Sequence, residues 1–192
     1  MPPDRVRCWG DENPLEREYH DREWGTPSHD DSFLFEHLVL EGFQAGLSWR
    51  TILNRREAMW KAFEGFVPER VARYGEKDVE RIMETGGMIR NRRKVESAIN
   101  NAKRVVEVQK EFGSFERYAW GFVGWSAIQH YMEEPSEMQT ESEESRAMSA
   151  DMKRRGFTFV GPTICYAYMQ AVGMVNDHLV RCFRHDELKD TR

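Results

Sequence analysis

The chain has 192 residues, of which 40% are hydrophobic and 32% charged, with a formal net charge of −5. This length suits one domain with a sizeable core, and this composition excludes both a disordered tail and a membrane protein. An acidic balance also argues against indiscriminate phosphate binding, which draws on Lys and Arg.

The opening Met-Pro-Pro-Asp-Arg-Val-Arg lacks the apolar run of a signal peptide, and no stretch reaches the length of a membrane span, so a cytoplasmic protein is expected. Asp31-Ser32 can cap a helix carrying Phe33, Leu34, Leu38 and Leu40. Ser48 can cap a second with Ile52, Leu53, Met59, Trp60 and Phe63, and Pro68 fits the first turn of a third. Glu76 to Thr85 reads as a short helix with Val79, Ile82 and Met83 on one face. Asn91 to Val108 reads as another with Val95, Ile99, Ala102 and Val105 inward. Between them Gly86-Gly87-Met88-Ile89-Arg90 leaves room only for a tight turn. Such a turn aims backbone N–H groups outward and can hold phosphate, although an ordinary bundle turn has the same sequence.

The basic residues Arg90, Arg92, Arg93, Lys94, Lys103 and Arg104 cluster around that turn with only Glu96 against them, and Lys153-Arg154-Arg155 forms a second knot. The chain can thus present a basic face while acidic overall, with plain solvated charge as the alternative. Glu133 to Ser145, rich in Glu and Ser, reads as a loop. Ser149 to Arg155 reads as helical, and Pro162 opens an apolar helix that runs to Gly173. No alternating strand pattern competes, so the expectation is an all-α chain.

Two constellations carry chemistry. Cys8 and His20 lie near the start, and His178 and Cys182 near the end, four positions apart; on a helix that spacing would put imidazole and thiolate on one face. Two Cys and two His complete a closed tetrahedral shell, the structural form of a zinc site, though a core Cys beside a surface His satisfies the spacing equally well. An odd number of widely spaced cysteines speaks against a disulfide framework, and Cys165 reads as a core residue. The second constellation is Trp9, Tyr19, Trp24 and Trp49 around Leu40-Glu41-Gly42-Phe43-Gln44-Ala45-Gly46-Leu47-Ser48. Aromatic faces can stack an unpaired base and a lone carboxylate can read an amino group; equally, the rings can be ordinary core and Glu41 a surface residue.

Together, Tyr19-His20-Asp21-Arg22-Glu23-Trp24-Gly25, the Leu40–Trp49 segment, Arg155-Gly156-Phe157-Thr158-Phe159-Val160-Gly161 and Asn176-Asp177-His178 resemble DNA-3-methyladenine glycosylase I, in that order and over nearly the whole chain. The resemblance implies a helix-hairpin-helix DNA glycosylase, residues 1–192 forming one unit with the hairpin element at about 76–108. One structural Zn²⁺ on Cys8, His20, His178 and Cys182 would join a subdomain built from about 1–30 and 160–192. It further implies Glu41 as the catalytic carboxylate, with Tyr19, Trp49, Trp9 and Trp24 around the base. Leu47 would fill the gap in the duplex, and Gly87, Arg90, Arg92 and Arg93 would contact DNA. The expected partner is double-stranded DNA with alkylated bases, for a monomer with no membrane or protein partner. A non-catalytic, zinc-stabilised damage-sensing protein of the same fold is the alternative. The chain departs from the family pattern where Trp9 follows Cys8 at once, where Phe43 replaces a polar Gln, where Glu16 replaces an aromatic residue, and in a hairpin without Gly-x-Gly spacing.

Overall fold

A computed structural model describes residues 5–189 and is mostly helical. Its helices are α1 (Pro14–Arg22), α2 (Asp31–Gln44), α3 (Trp49–Ala62), α4 (Pro68–Val71), α5 (Glu76–Glu84), α6 (Arg92–Phe112), α7 (Phe115–Trp120), α8 (Glu143–Arg154), α9 (Pro162–Ala171) and α10 (Phe183–Glu187). Most begin where local chemistry says they should. Asn13, Ser48 and Asn91 each accept a backbone N–H of the first turn through the side chain, and Pro14, Pro68 and Pro162 open helices where no N–H is needed. The cap of α2 is Asp30 rather than the Asp31-Ser32 pair, because Asp30 Oδ1 accepts the Phe33 N–H at 2.8 Å. Asp31 instead turns outward from the helix and accepts the N–H groups of Phe115 and Glu116, tying α2 to the start of α7.

Helix α2 is the axis of the core. Leu34, Phe35, Leu38, Val39, Leu40 and Phe43 are buried on all sides of it, as expected of a helix that neighbours wrap completely. Helices α3, α6, α7 and α9 pack around it, contributing among others Ile52, Val95, Val105, Phe115 and Tyr168. Because α2 is central, polar residues along its middle are buried; Glu36, His37 and Glu41 all are, while Asp31, Ser32 and Gln44 at its ends are partly exposed.

Two expectations need correction. The segment Glu133–Ser145 is irregular only as far as Glu141. Ser142 and Ser145 cap each other reciprocally and start α8 at Glu143, so the acidic run there becomes a first turn that suits the positive helix end. The structure also contains a parallel two-residue pair, β1 (Ile128–Gln129) with β2 (Val175–Asn176), too short to leave an alternating pattern in the sequence. Gly173, just before β2, has φ +76°, and a Cβ there would lie 2.3 Å from the Pro27 nitrogen, so only glycine allows the chain to pass. No helix among the described residues is long and apolar enough to cross a membrane.

Candidate functional site: an aromatic pocket beside a Cys2His2 cluster

Four helices and the N-terminal loop enclose a cavity of about 230 Å³ lined by Trp9, Glu16, Tyr19, Trp24, Glu41, Gln44, Trp49, Ala167 and Gln170. All five pocket residues expected from the sequence therefore meet in one place. Trp9 keeps its place although it follows Cys8 directly: its ring lies 5.3 Å from Trp24 and 6.0 Å from Tyr19. Tyr19 and Trp49 meet at 5.1 Å, tilted by 50°. The Tyr19 hydroxyl and the Trp49 Nε1 are buried without a hydrogen-bond partner, an arrangement that costs about 1–3 kcal/mol each until a ligand supplies one.

Glu41 enters this cavity from the buried axis of the fold. It is 5% exposed and has no hydrogen-bond or ion-pair partner among the described residues. Burial alone pushes its carboxyl up to about 8, because the charged form has lost water and gained nothing in return. The second carboxylate of the pocket, Glu16, stands nearer solvent and is held by Arg50 at 2.9 Å. Behind the Tyr19 ring lies a separate charged group. Arg56 bonds Glu23 at 2.7 Å and Glu36 at 2.7 Å, while the buried His37, stacked on Tyr19, bonds Glu23 at 2.7 Å. Burial works against the Glu23 charge, but the bonds from His37 and Arg56 outweigh it and bring the carboxyl down to about 2.

Next to the pocket, the donor atoms of Cys8, His20, His178 and Cys182 all lie within 4.8 Å of one another. Cys182 Sγ is 3.5 Å from both His20 Nε2 and His178 Nδ1, and Cys8 Sγ is 3.5 Å from His178 Nδ1. The remaining ring nitrogens face acceptors: His20 Nδ1 lies 2.9 Å from Asp21, itself held by Arg7, and His178 Nε2 lies 3.0 Å from the Trp24 carbonyl. Each imidazole thus places its proton outward and its lone pair at the centre, the arrangement that accompanies metal ligation. The Leu179 N–H also points at Cys8 Sγ, at 3.2 Å. The donor set and its surroundings fit a tetrahedral metal ion. His178 and Cys182 do not share a helix face as the spacing suggested. Cys182 precedes α10, and its N–H closes a tight turn on the Leu179 carbonyl at 2.7 Å, which folds the two ligands together by a different route.

The turn between α5 and α6 forms as expected. Gly87 has φ +82°, and a Cβ there would press on Ala58 at 3.2 Å. Arg90 and Arg93 are exposed beside it, whereas Arg92 bonds Glu76 at 2.6 Å. Lys94 leaves the basic face altogether: it is buried, and its ammonium donates to the carbonyls of Phe43 and Ala45, at the C-terminal end of α2. Leu47 stands 39% exposed in the α2–α3 connection, between the cavity residues Gln44 and Trp49 in the chain but not itself part of the cavity wall. Sequence reasoning missed Gln44, Ala167 and Gln170 as pocket wall. It also missed the charges behind Tyr19, for which the signal was the Glu36-His37 pair within the apolar run of α2.

A cavity walled by aromatic rings, with an unpaired carboxylate inside a helical body, can receive a planar ligand bearing amino hydrogens or positive charge, as a nucleobase does. The chain belongs to the methyladenine glycosylase family, whose model matches residues 9–185. A relative named DNA-3-methyladenine glycosylase 1, from Escherichia coli strain K12, is 44% identical over 177 residues, covering 92% of this chain and 95% of its own. The crystal structure of a 3-methyladenine DNA glycosylase I matches with a TM-score of 0.90 at 42% identity, covering 94% of this chain and 100% of that one. A second crystal structure, of a tyrosine-to-phenylalanine variant in complex with 3-methyladenine, matches with a TM-score of 0.89 at 34% identity, covering 92% and 95%.

Proposed function

We propose that the protein is a DNA-3-methyladenine glycosylase of base-excision repair, which flips an alkylated nucleotide out of duplex DNA and releases the base by hydrolysis. The observation that carries this reading is Glu41, a buried carboxylate without a partner, facing a cavity walled by aromatic rings. Adenine methylated at N3 is cationic as its nucleotide, so the bond to deoxyribose is already weakened and little protonation of the leaving group is needed. The enzyme's task is then selection and electrostatic stabilisation.

Extrusion costs a few kcal/mol of unstacking, which the wedge residue Leu47 offsets by filling the gap. The base lodges among Trp9, Tyr19, Trp24 and Trp49. Glu41, which resists charge in the empty cavity, gives up its proton when a cation arrives beside it. The resulting carboxylate reads the base edge and stabilises the oxocarbenium-like state in which positive charge moves onto the sugar. Tyr19, whose hydroxyl burial and the nearby Glu41 hold far from ionising, serves as a hydrogen-bond donor. No lysine lines the cavity among the described residues, so an amine nucleophile is missing and hydrolysis without strand cleavage follows. Gly87, Arg90, Arg92 and Arg93 hold the phosphate backbone at a helix-hairpin-helix element over about 76–108.

The four-residue cluster holds one Zn²⁺, which when bound supplies structural cross-linking rather than chemistry, since four protein ligands leave no open position. Cys8 directly precedes Trp9 and His20 directly follows Tyr19, so the staple presses two walls of the pocket into place. The subdomain it would tie together, about 1–30 with 160–192, has residues 1–4 and 190–192 outside those described. The chain works as one unit over 1–192, as a monomer, in a reducing cytoplasm that keeps the thiols free. The test is Glu41→Gln assayed on methylated DNA: release of 3-methyladenine falls by about 10²–10³ with folding intact, and a rate near wild type refutes the role.

A further inference from the structure

We infer that Gln170 is a specificity-determining residue: Asp177 turns its side-chain oxygen into the base cavity, where it accepts from the 6-amino group of an N3-methylated purine and rejects a 6-oxo group. This rests on the base-excision reading above.

A glutamine amide has a donor end and an acceptor end, and which one faces the cavity decides what it reads. Gln170 lies near the end of α9 and lines the cavity together with Glu41. Its Nε2 donates to Asp177 Oδ2 at 2.7 Å. The same carboxylate oxygen accepts the Tyr166 hydroxyl at 2.8 Å, and Oδ1 accepts from His130 Nδ1 at 2.5 Å. Asp177 is only 1% exposed, and its two oxygens accept from His130, Tyr166 and Gln170, all of them donors. Turning the amide over would set Gln170 Oε1 against Oδ2, two acceptors in contact with no water to relieve them. The orientation is therefore dictated from behind, and Oε1, which has no partner among the described residues, is left for the cavity.

The cavity then offers two acceptors, Glu41 and Gln170 Oε1. The 6-amino group of 3-methyladenine carries two N–H bonds, one for each. The 6-oxo group of 3-methylguanine presents lone pairs to both; a protonated Glu41 can answer them by donating, whereas Gln170 Oε1, fixed by Asp177, cannot, so the discrimination falls on Gln170. Rejection built on buried groups left unpaired is stronger than rejection by shape.

The experiment is chromatography of both bases released from methylated duplex DNA by the full-length wild-type protein, Gln170→Ala and Asp177→Asn. The readout is the ratio of kcat/KM for 3-methyladenine to that for 3-methylguanine. In Gln170→Ala the acceptor is gone, and the ratio falls by about tenfold or more, chiefly through faster release of 3-methylguanine. In Asp177→Asn the side chain can present either a donor or an acceptor, the Gln170 amide is free to turn over, and the ratio falls in the same direction. A loss of packing alone would slow both bases together and leave the ratio unchanged, and that result overturns the inference. Should Asp177→Asn not fold, Gln170→Ala decides alone. Wild-type protein that releases neither base refutes the base-excision reading itself, and the inference falls with it.

Discussion

Two glutamates near Tyr19, the buried Glu41 and the partly buried Glu23, have opposite fates. Glu23 is bonded by Arg56 and His37 and titrates at about 2, whereas Glu41 has no partner and titrates at about 8. Burial opposes the charge in both; pairing alone separates them. The charge cluster pairs its carboxylates with Arg56 and His37, leaving His37 Nδ1 unbonded, and supports the back of the pocket, while the pocket itself holds an unpaired carboxylate, an orphaned hydroxyl and an orphaned indole N–H. Single orphaned atoms occur elsewhere, at Tyr74, Tyr168 and Arg184 among others, but among the described residues only in the pocket do two of them meet an unpaired carboxylate around one cavity, and that convergence is what a ligand can complete.

The sharpest way to break this contrast is Arg56→Met, which removes the cation shared by Glu23 and Glu36. Stranding the buried Glu36 and the partly buried Glu23 costs up to about 3 kcal/mol, so the urea midpoint should fall; an unchanged midpoint would show that the network carries no weight. Glu41→Gln should do the reverse, losing activity while stabilising the fold. The folded carboxyl titrates at about 8 against an ordinary 4.5, so between those values the folded state keeps a proton that the unfolded state has lost. Stability therefore falls as pH rises from about 4.5 to 8 and is flat above, and Glu41→Gln abolishes that fall, worth on the order of a few kcal/mol above pH 8. Parallel urea titrations at pH 6 and pH 9 check this, and a wild-type difference that the variant retains would count against it. In kinetics the same titration should appear as kcat/KM rising with pH toward a plateau above about 8, a limb that Glu41→Gln flattens. The smallest effect is expected outside both regions: replacing the exposed Arg90 and Arg93 by Ala should weaken binding to all DNA sequences alike and lower the salt slope by about 2.

Much of the helical layout is legible in the sequence because its signals are local. Ser48, Asn91, Pro68 and Pro162 act within one turn of themselves and start helices where they stand. The cap of α2 shifts by one residue because Asp31 is taken by the distant N–H groups of α7, and the acidic run before α8 misleads because Ser142 starts a helix inside it. Lys94 looks like part of a phosphate-binding face until α2 comes to end beside it. The aromatic wall of the pocket was legible only as a set, since each ring alone reads as core. Gln170 gave no signal: its meaning depends on Asp177, seven residues on, returning through the turn at Gly173 to place a carboxylate behind it.

The most direct test of the contrast between the two glutamates is a carboxyl NMR titration of Glu41 in the empty, folded protein, with Glu23 as the internal control. A midpoint near 8 for Glu41, with Glu23 still ionised at the lowest pH that preserves the fold, is the predicted result. A Glu41 midpoint between 4 and 5, that of an ordinary carboxyl near 4.5, would show that the empty pocket already satisfies this charge and would contradict the account.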